Sequence, residues 1–153
     1  MFTERELVYM RSQRLGRIAT VAADGRPDNA AVGFQVGDDG VITVGGRDIA
    51  GSRKGRNVLH GESRVAFLVD DLETVQPWRP RGIRVYGRAE LIGAERDPPH
   101  GGHLRITPEI SWSWGIERDA TSGGGFRPHR TVHPTGTGSG RPPTPQERRT
   151  QHR

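Results

Sequence analysis

Residues 29–36 alternate without a break, with Ala30, Val32, Phe34 and Val36 on one side and Asn29, Ala31, Gly33 and Gln35 on the other. A side-chain period of two belongs to a β-strand that buries one face. Tight-turn sequences bracket it, Ala23-Asp24-Gly25-Arg26-Pro27 before and Gly37-Asp38-Asp39-Gly40 after. Connections this short join antiparallel neighbours, so strands are expected over residues 17–22 and 41–44. The second side of the central strand is small and flat. Such a surface either admits a planar ring close to the backbone or packs against another backbone.

The pattern continues. In residues 83–91, Ile83, Val85, Ala89 and Leu91 interleave with Arg84, Tyr86, Arg88 and Glu90, a strand half exposed to water. Residues 64–69 form an apolar run expected to be buried on both faces. In residues 104–117, Ile110, Trp112, Trp114 and Ile116 share one side and Ser111, Ser113 and Gly115 the other, which puts the large groups in the core or against a second subunit. Thr3 with Glu6 is a capping box, Phe2 with Leu7 a hydrophobic staple, and a helix over residues 4–14 is expected to bury Leu7, Met10 and Leu15. Six antiparallel strands with two short helices make a mainly β, closed or half-closed barrel.

Between the third and fourth strands lies Gly51-Ser52-Arg53-Lys54-Gly55-Arg56-Asn57, which contains the only lysine of the chain. Ser52 is a good N-cap, with Arg53, Lys54 and Gly55 in the first turn and Val58 and Leu59 on the apolar side. Free amides, a hydroxyl, several cations and the positive end of a helix dipole then converge, which is a phosphate site in outline. The alternative is a solvated basic helix start. Trp78, between the two prolines of residues 76–81, covers either a ligand or the end of the barrel.

Composition narrows the function. The chain of 153 residues has a net charge of +5, but residues 1–117 are balanced and the excess lies in the Gly-, Pro- and Arg-rich residues 118–153. One folded domain over residues 1–117 and a disordered tail over 118–153 follow, with no argument for nucleic-acid binding by the domain. Cysteine is absent, which excludes disulfides and thiol nucleophiles. The six histidines show no ligand spacing, so no metal site is expected. No run has the length of a membrane span, and Met1-Phe2-Thr3-Glu4 lacks the features of a signal peptide; a soluble cytoplasmic protein is the expectation. Nucleophile elbows, Walker loops, dinucleotide fingerprints and paired carboxylates are missing, so no side chain is singled out as catalytic. The pattern suits a protein that holds a planar, phosphorylated cofactor and lets the cofactor react.

Gly40 to Val44, Gly51-Ser52-Arg53-Lys54, Asn57, Arg64 to Leu68 and Gly82 to Glu90 resemble the pyridoxamine 5′-phosphate oxidase-like split-barrel (FMN-binding-like) flavoproteins. Leu15 to Val21, Asn29 to Phe34 and Ser113-Trp114-Gly115 are similar to the branch that uses the deazaflavin coenzyme F420. The resemblance implies a six-stranded antiparallel split barrel and a homodimer with cofactor at the subunit interface. It implies phosphate held by Ser52, Arg53 and Lys54, with Arg56 and Asn57 as further candidates, and a ring lying against Asn29, Ala31, Val32, Val44 and Gly45. Trp78 and Trp114 become candidates for the lid or interface. Asn29 stands where the oxidases have an arginine, and their C-terminal substrate-binding Arg and His have no counterpart, so vitamin B6 oxidation is not expected. What the resemblance implies is hydride transfer between reduced coenzyme F420 and a small organic acceptor. An FMN-binding reductase and a non-catalytic cofactor-binding protein are the alternatives.

Overall fold

The computed structural model describes residues 1–118 and 126–135. Its elements are α1 (Glu4–Ser12), β1 (Leu15–Val21), β2 (Pro27–Val36), β3 (Ile42–Val44), α2 (Arg53–His60), β4 (Glu62–Thr74), β5 (Arg79–Ile92), β6 (His103–Trp114) and β7 (His129–Val132). The strands are ordered β3-β2-β1-β4-β5-β6-β7, and β3 also pairs with β6. Six antiparallel strands therefore close into the expected barrel, with β7 added to the outside of β6.

The interior follows the alternation. Val32 and Val36 of β2 point inward with Ile42 and Val44 of β3, and Asn29, Ala31, Gly33 and Gln35 face out. Phe67 fills the centre under Gly16, where a Cβ would lie 2.3 Å from the ring. The capping box of α1 forms as predicted, Thr3 Oγ1 accepting from the Glu6 amide and Glu6 Oε2 from the Thr3 amide.

Four expectations are corrected. Extended dihedrals at Gln13 end α1 after Ser12, so Leu15 opens β1 and is exposed; the helix buries Glu6, Tyr9 and Met10, with Leu7 half-buried beside them. Leu59 is likewise exposed, and Val58 alone anchors the apolar side of α2. β4 is buried on one face only: Val65, Phe67 and Val69 point inward, whereas Ala66 and Leu68 lie half-buried on the barrel's outer wall.

The fourth concerns the end of the chain. A bulge places Gly87 opposite Pro108 and Tyr86 opposite Ile110, and the extra residue reverses the faces of β6. Ser111 and Ser113 turn inward and Ile110, Trp112 and Trp114 outward. Beside them runs β7, within a stretch that carries no apolar pattern. Glu6, fully buried, accepts from Ser113 Oγ at 2.5 Å and lies 3.1 Å from His129 Nδ1. Ser111 Oγ is 2.8 Å from Nε2 of buried His133, whose ring packs on Phe2. These partners fix β7 where no apolar period announces it. Residues 119–125 and 136–153 of the expected tail lie outside the described residues.

Candidate functional site

α2 begins as its sequence predicts. Ser52 is extended, and its Oγ accepts from the Gly55 amide at 3.3 Å and donates to Ile49 O at 2.6 Å. The Arg56 amide closes on Ser52 O, which leaves the amides of Arg53 and Lys54 without an acceptor among the described residues. Arg53 and Arg56 are exposed and Lys54 half-buried, and among the described residues none is within ion-pair distance of a carboxylate. Gly55 is required by close approach: a Cβ there would sit 1.9 Å from Ile49 O.

Asn57 has a different part from the rest. Its side chain is buried and donates to Thr20 Oγ1 at 2.9 Å, tying α2 to the inside of β1. It shapes the phosphate candidate by holding the helix.

A cleft of about 480 Å³ separates α2 from the β1–β2 turn, lined by Arg53, Arg56 and Asn57 on one side and by Asp24, Arg26, Pro27 and Asp28 among others on the opposite side. A second cleft of about 330 Å³ is lined by Gly33, Phe34, Gln35, Thr43 and Gly45. The two touch opposite ends of β2. Between them lie Asn29 and Ala31, both exposed.

The edge of β2 is open along this stretch. β3 pairs only with Phe34, Gln35 and Val36. The Ala22 amide donates to Arg26 O and the Gly37 amide to Val41 O, which turns even-numbered residues of β2 toward β1 and odd-numbered ones toward β3. Beyond the Phe34–Val44 pair, whose register sets Gly33 opposite Gly45, the N–H and C=O groups of Asn29 and Ala31 therefore meet no strand among the described residues. Val32 is even-numbered, so its amide faces Gly16 of β1 and its side chain is in the core. Its place in the candidate site is corrected accordingly. Val44 is also fully buried, lies between Phe34 and Leu104 in the sheet, and does not line the groove.

Trp78 sits on the β4–β5 turn, 67% exposed, and lines neither cleft. Among the described residues it covers no barrel end. A third cavity of about 550 Å³ lies between α1 and β5, lined by Val8, Tyr9, Ser12, Arg81 and Ile116 among others. At its wall the Tyr9 hydroxyl donates to Asp71 Oδ1 at 3.0 Å, and Arg81 grips both Asp71 oxygens at 3.0 and 2.7 Å. Burial pushes the Tyr9 hydroxyl upward, and the Arg81 guanidinium holds the Asp71 carboxyl below its ordinary range. Nothing local in the sequence marks this group, because it joins positions 9, 71 and 81.

No helix among the described residues is long and apolar enough to cross a membrane. Among the same residues no three His, Asp or Glu side chains gather as metal ligands.

A split antiparallel barrel with an open strand edge beside a basic helix start is a frame that could admit a planar, anionic group. Residues 3–108 match the family model described as Pyridoxamine 5′-phosphate oxidase, and the chain belongs to the pyridoxamine 5′-phosphate oxidase family. It is 41% identical over 127 residues to a 5a,11a-dehydrotetracycline/5a,11a-dehydrooxytetracycline reductase of Streptomyces rimosus, a match covering 80% of this chain and 89% of the reductase. A conserved hypothetical protein of Mycobacterium tuberculosis superposes with a TM-score of 0.58 at 25% identity, covering 74% of this chain and 85% of that one. An FAD-binding protein of Mesorhizobium loti shares the fold, with a TM-score of 0.55 at 20% identity over 73% of this chain and 93% of its own.

Proposed function

We propose that this protein is an oxidoreductase that holds reduced coenzyme F420 along the open edge of β2 and lets it pass a hydride to a small organic acceptor. The observation that carries the reading is the 41% identity to a reductase over 89% of that protein's length. The donor set fits a planar, anionic group: an added Cβ at Gly33 or Gly45 would meet nothing within 4 Å, and free amides stand beside them.

In this reading Arg53, Lys54 and Arg56, with the two free first-turn amides, hold the phosphate. The odd-numbered amide of Ala31 hydrogen-bonds the ring edge, and the small side chains let the ring approach the strand. Bound there, the reduced deazaflavin supplies the hydride. Asn29 takes the position at the start of the ring contact. No side chain is singled out as a general acid, so solvent or a substrate group supplies the proton.

The functional unit is a homodimer. Leu68, Arg84 and Trp112 form one row across the outer face of β4, β5 and β6, and Ala66, Tyr86 and Ile110 the next. Arg84 stacks 4.6 Å from the Trp112 ring centre. A second copy seated on these aromatics would bring its own residues over the ring.

Parallel titration with coenzyme F420 and FMN, followed by cofactor and tryptophan fluorescence, tests the assignment. Selective binding of the deazaflavin is expected, followed by loss of reduced cofactor when a dehydrotetracycline, the substrate in the relative's name, is added. Preference for FMN would move the chemistry to flavin reduction on the same site. Binding of neither would reduce the α2 start to an ordinary solvated helix end.

A further inference from the structure

Eight residues, 45–52, separate β3 from α2, and they reach the phosphate candidate without joining the sheet. One side chain organises them. Asp48 Oδ1 accepts from the Gly51 amide at 3.0 Å within its own loop and from the Gly101 amide at 2.8 Å in the β5–β6 connection. Its Oδ2 lies 3.2 Å from His100 Nδ1, and the Ala50 amide adds a backbone bond to Gly101 O at 2.9 Å. The neighbours leave no slack: Ile49 and Ala50 are buried, and a Cβ at Gly51 would fall 2.2 Å from Asp48 Oδ2.

The bonds continue toward the site. Ile49 O takes both the Ser52 amide at 3.1 Å and the Ser52 hydroxyl at 2.6 Å, and that hydroxyl caps Gly55. A continuous path thus runs from the β5–β6 loop through Asp48 and Ile49 to the first turn of α2. We propose that Asp48 is the positioning residue of the phosphate site, latching the loop to Gly101 so that the Arg53 and Lys54 amides stay aimed at the anion. The two glycine amides also hold its carboxyl below the ordinary range, as expected for a persistently ionised hub.

This inference rests on the reading of the α2 start as a phosphate site, and its test separates the two. Asp48→Ala, Asp48→Asn and His100→Ala are compared with the parent protein by coenzyme F420 titration and by amide hydrogen exchange without cofactor. Asparagine keeps an acceptor at Oδ1, so Asp48→Asn should bind within about threefold of the parent, while Asp48→Ala weakens binding by about tenfold or more through misplacement. The Gly51, Gly101 and Gly55 amides should exchange faster in Asp48→Ala and normally in Asp48→Asn. His100→Ala should resemble Asp48→Asn. If Asp48→Ala leaves Gly55 exchange and cofactor affinity unchanged, the latch does not position the helix and the proposal is wrong. If it speeds Gly55 exchange but the parent binds neither cofactor, the latch stands and the phosphate reading falls.

Discussion

Glu6 Oε1 and Ser113 Oγ lie 2.5 Å apart although 107 positions separate them in the chain. The bond fastens the first helix to the last barrel strand, and His129 of β7 closes on the same oxygen. Glu6→Ala strips three partners at once, the Thr3 amide, Ser113 and His129. Ser113, the buried one of the three, costs about 1–3 kcal/mol if left unpaired, so the urea midpoint should fall. A midpoint within error of the parent would show that water replaces the carboxylate.

The same clasp predicts the effect of truncation. A chain ending after Glu117 lacks β7 and exposes Ser111, Ser113 and Glu6, whereas one ending after Thr135 keeps every described contact of the strand. The shorter form should unfold at lower urea concentration. Equal midpoints would make β7 an ornament of the barrel wall.

Lys54 makes no ion pair among the described residues, so Lys54→Ala should leave thermal stability unchanged. Loss of a charge-assisted phosphate contact should weaken coenzyme F420 by about 1.5–3 kcal/mol, near or above tenfold in Kd. Unchanged affinity at low salt would remove Lys54 from the site.

Two glycine substitutions should part company. Gly55→Ala collides with Ile49 O and should destabilise the protein, while Gly33→Ala meets nothing within 4 Å and should fold normally. Gly33→Ala places a methyl on the outer face of β2, however, and should weaken cofactor binding. Normal affinity in that variant would move the ring away from this strand.

Asp71 supplies an acid-side prediction. Its folded carboxyl is held below the unfolded value of 3.8, chiefly by the Arg81 hydrogen bond. The contribution is therefore complete above that value and disappears as pH falls through the lower, folded value. Asp71→Asn should flatten the loss of stability below about pH 4 relative to the parent. Parallel urea-stability profiles for the two proteins across that range would contradict the assignment.

What is legible in the sequence is what repeats locally. β2 can be read because one face meets the core and the other is exposed, so the alternation is clean. The Ser52 cap, the first turn of α2 and the Thr3–Glu6 box depend on spacings of three residues and form as their spacing predicts. Asn57 lines the cleft as well, but its bond to Thr20 spans 37 positions and leaves no local trace. One bulge residue inverts the faces of β6, and it is invisible in a pattern of alternating large and small groups. β7 escapes the sequence because its ordering rests on His129 and His133, polar residues answering a buried carboxylate and serine. Asp48 with Gly51 does carry a readable turn signal, but its second partner, Gly101, arrives from a distant loop.

The open edge of β2 has a consequence for how the protein is handled. Unpaired N–H and C=O groups on an extended strand are a template for any other extended chain, and Asn29 and Ala31 carry little bulk or charge to deter one. A bound ring that occupies those groups would also act as a guard against self-association. Purified without its ligand, the protein should aggregate at lower concentration than when saturated, and production in a host that makes the cofactor should raise the soluble yield.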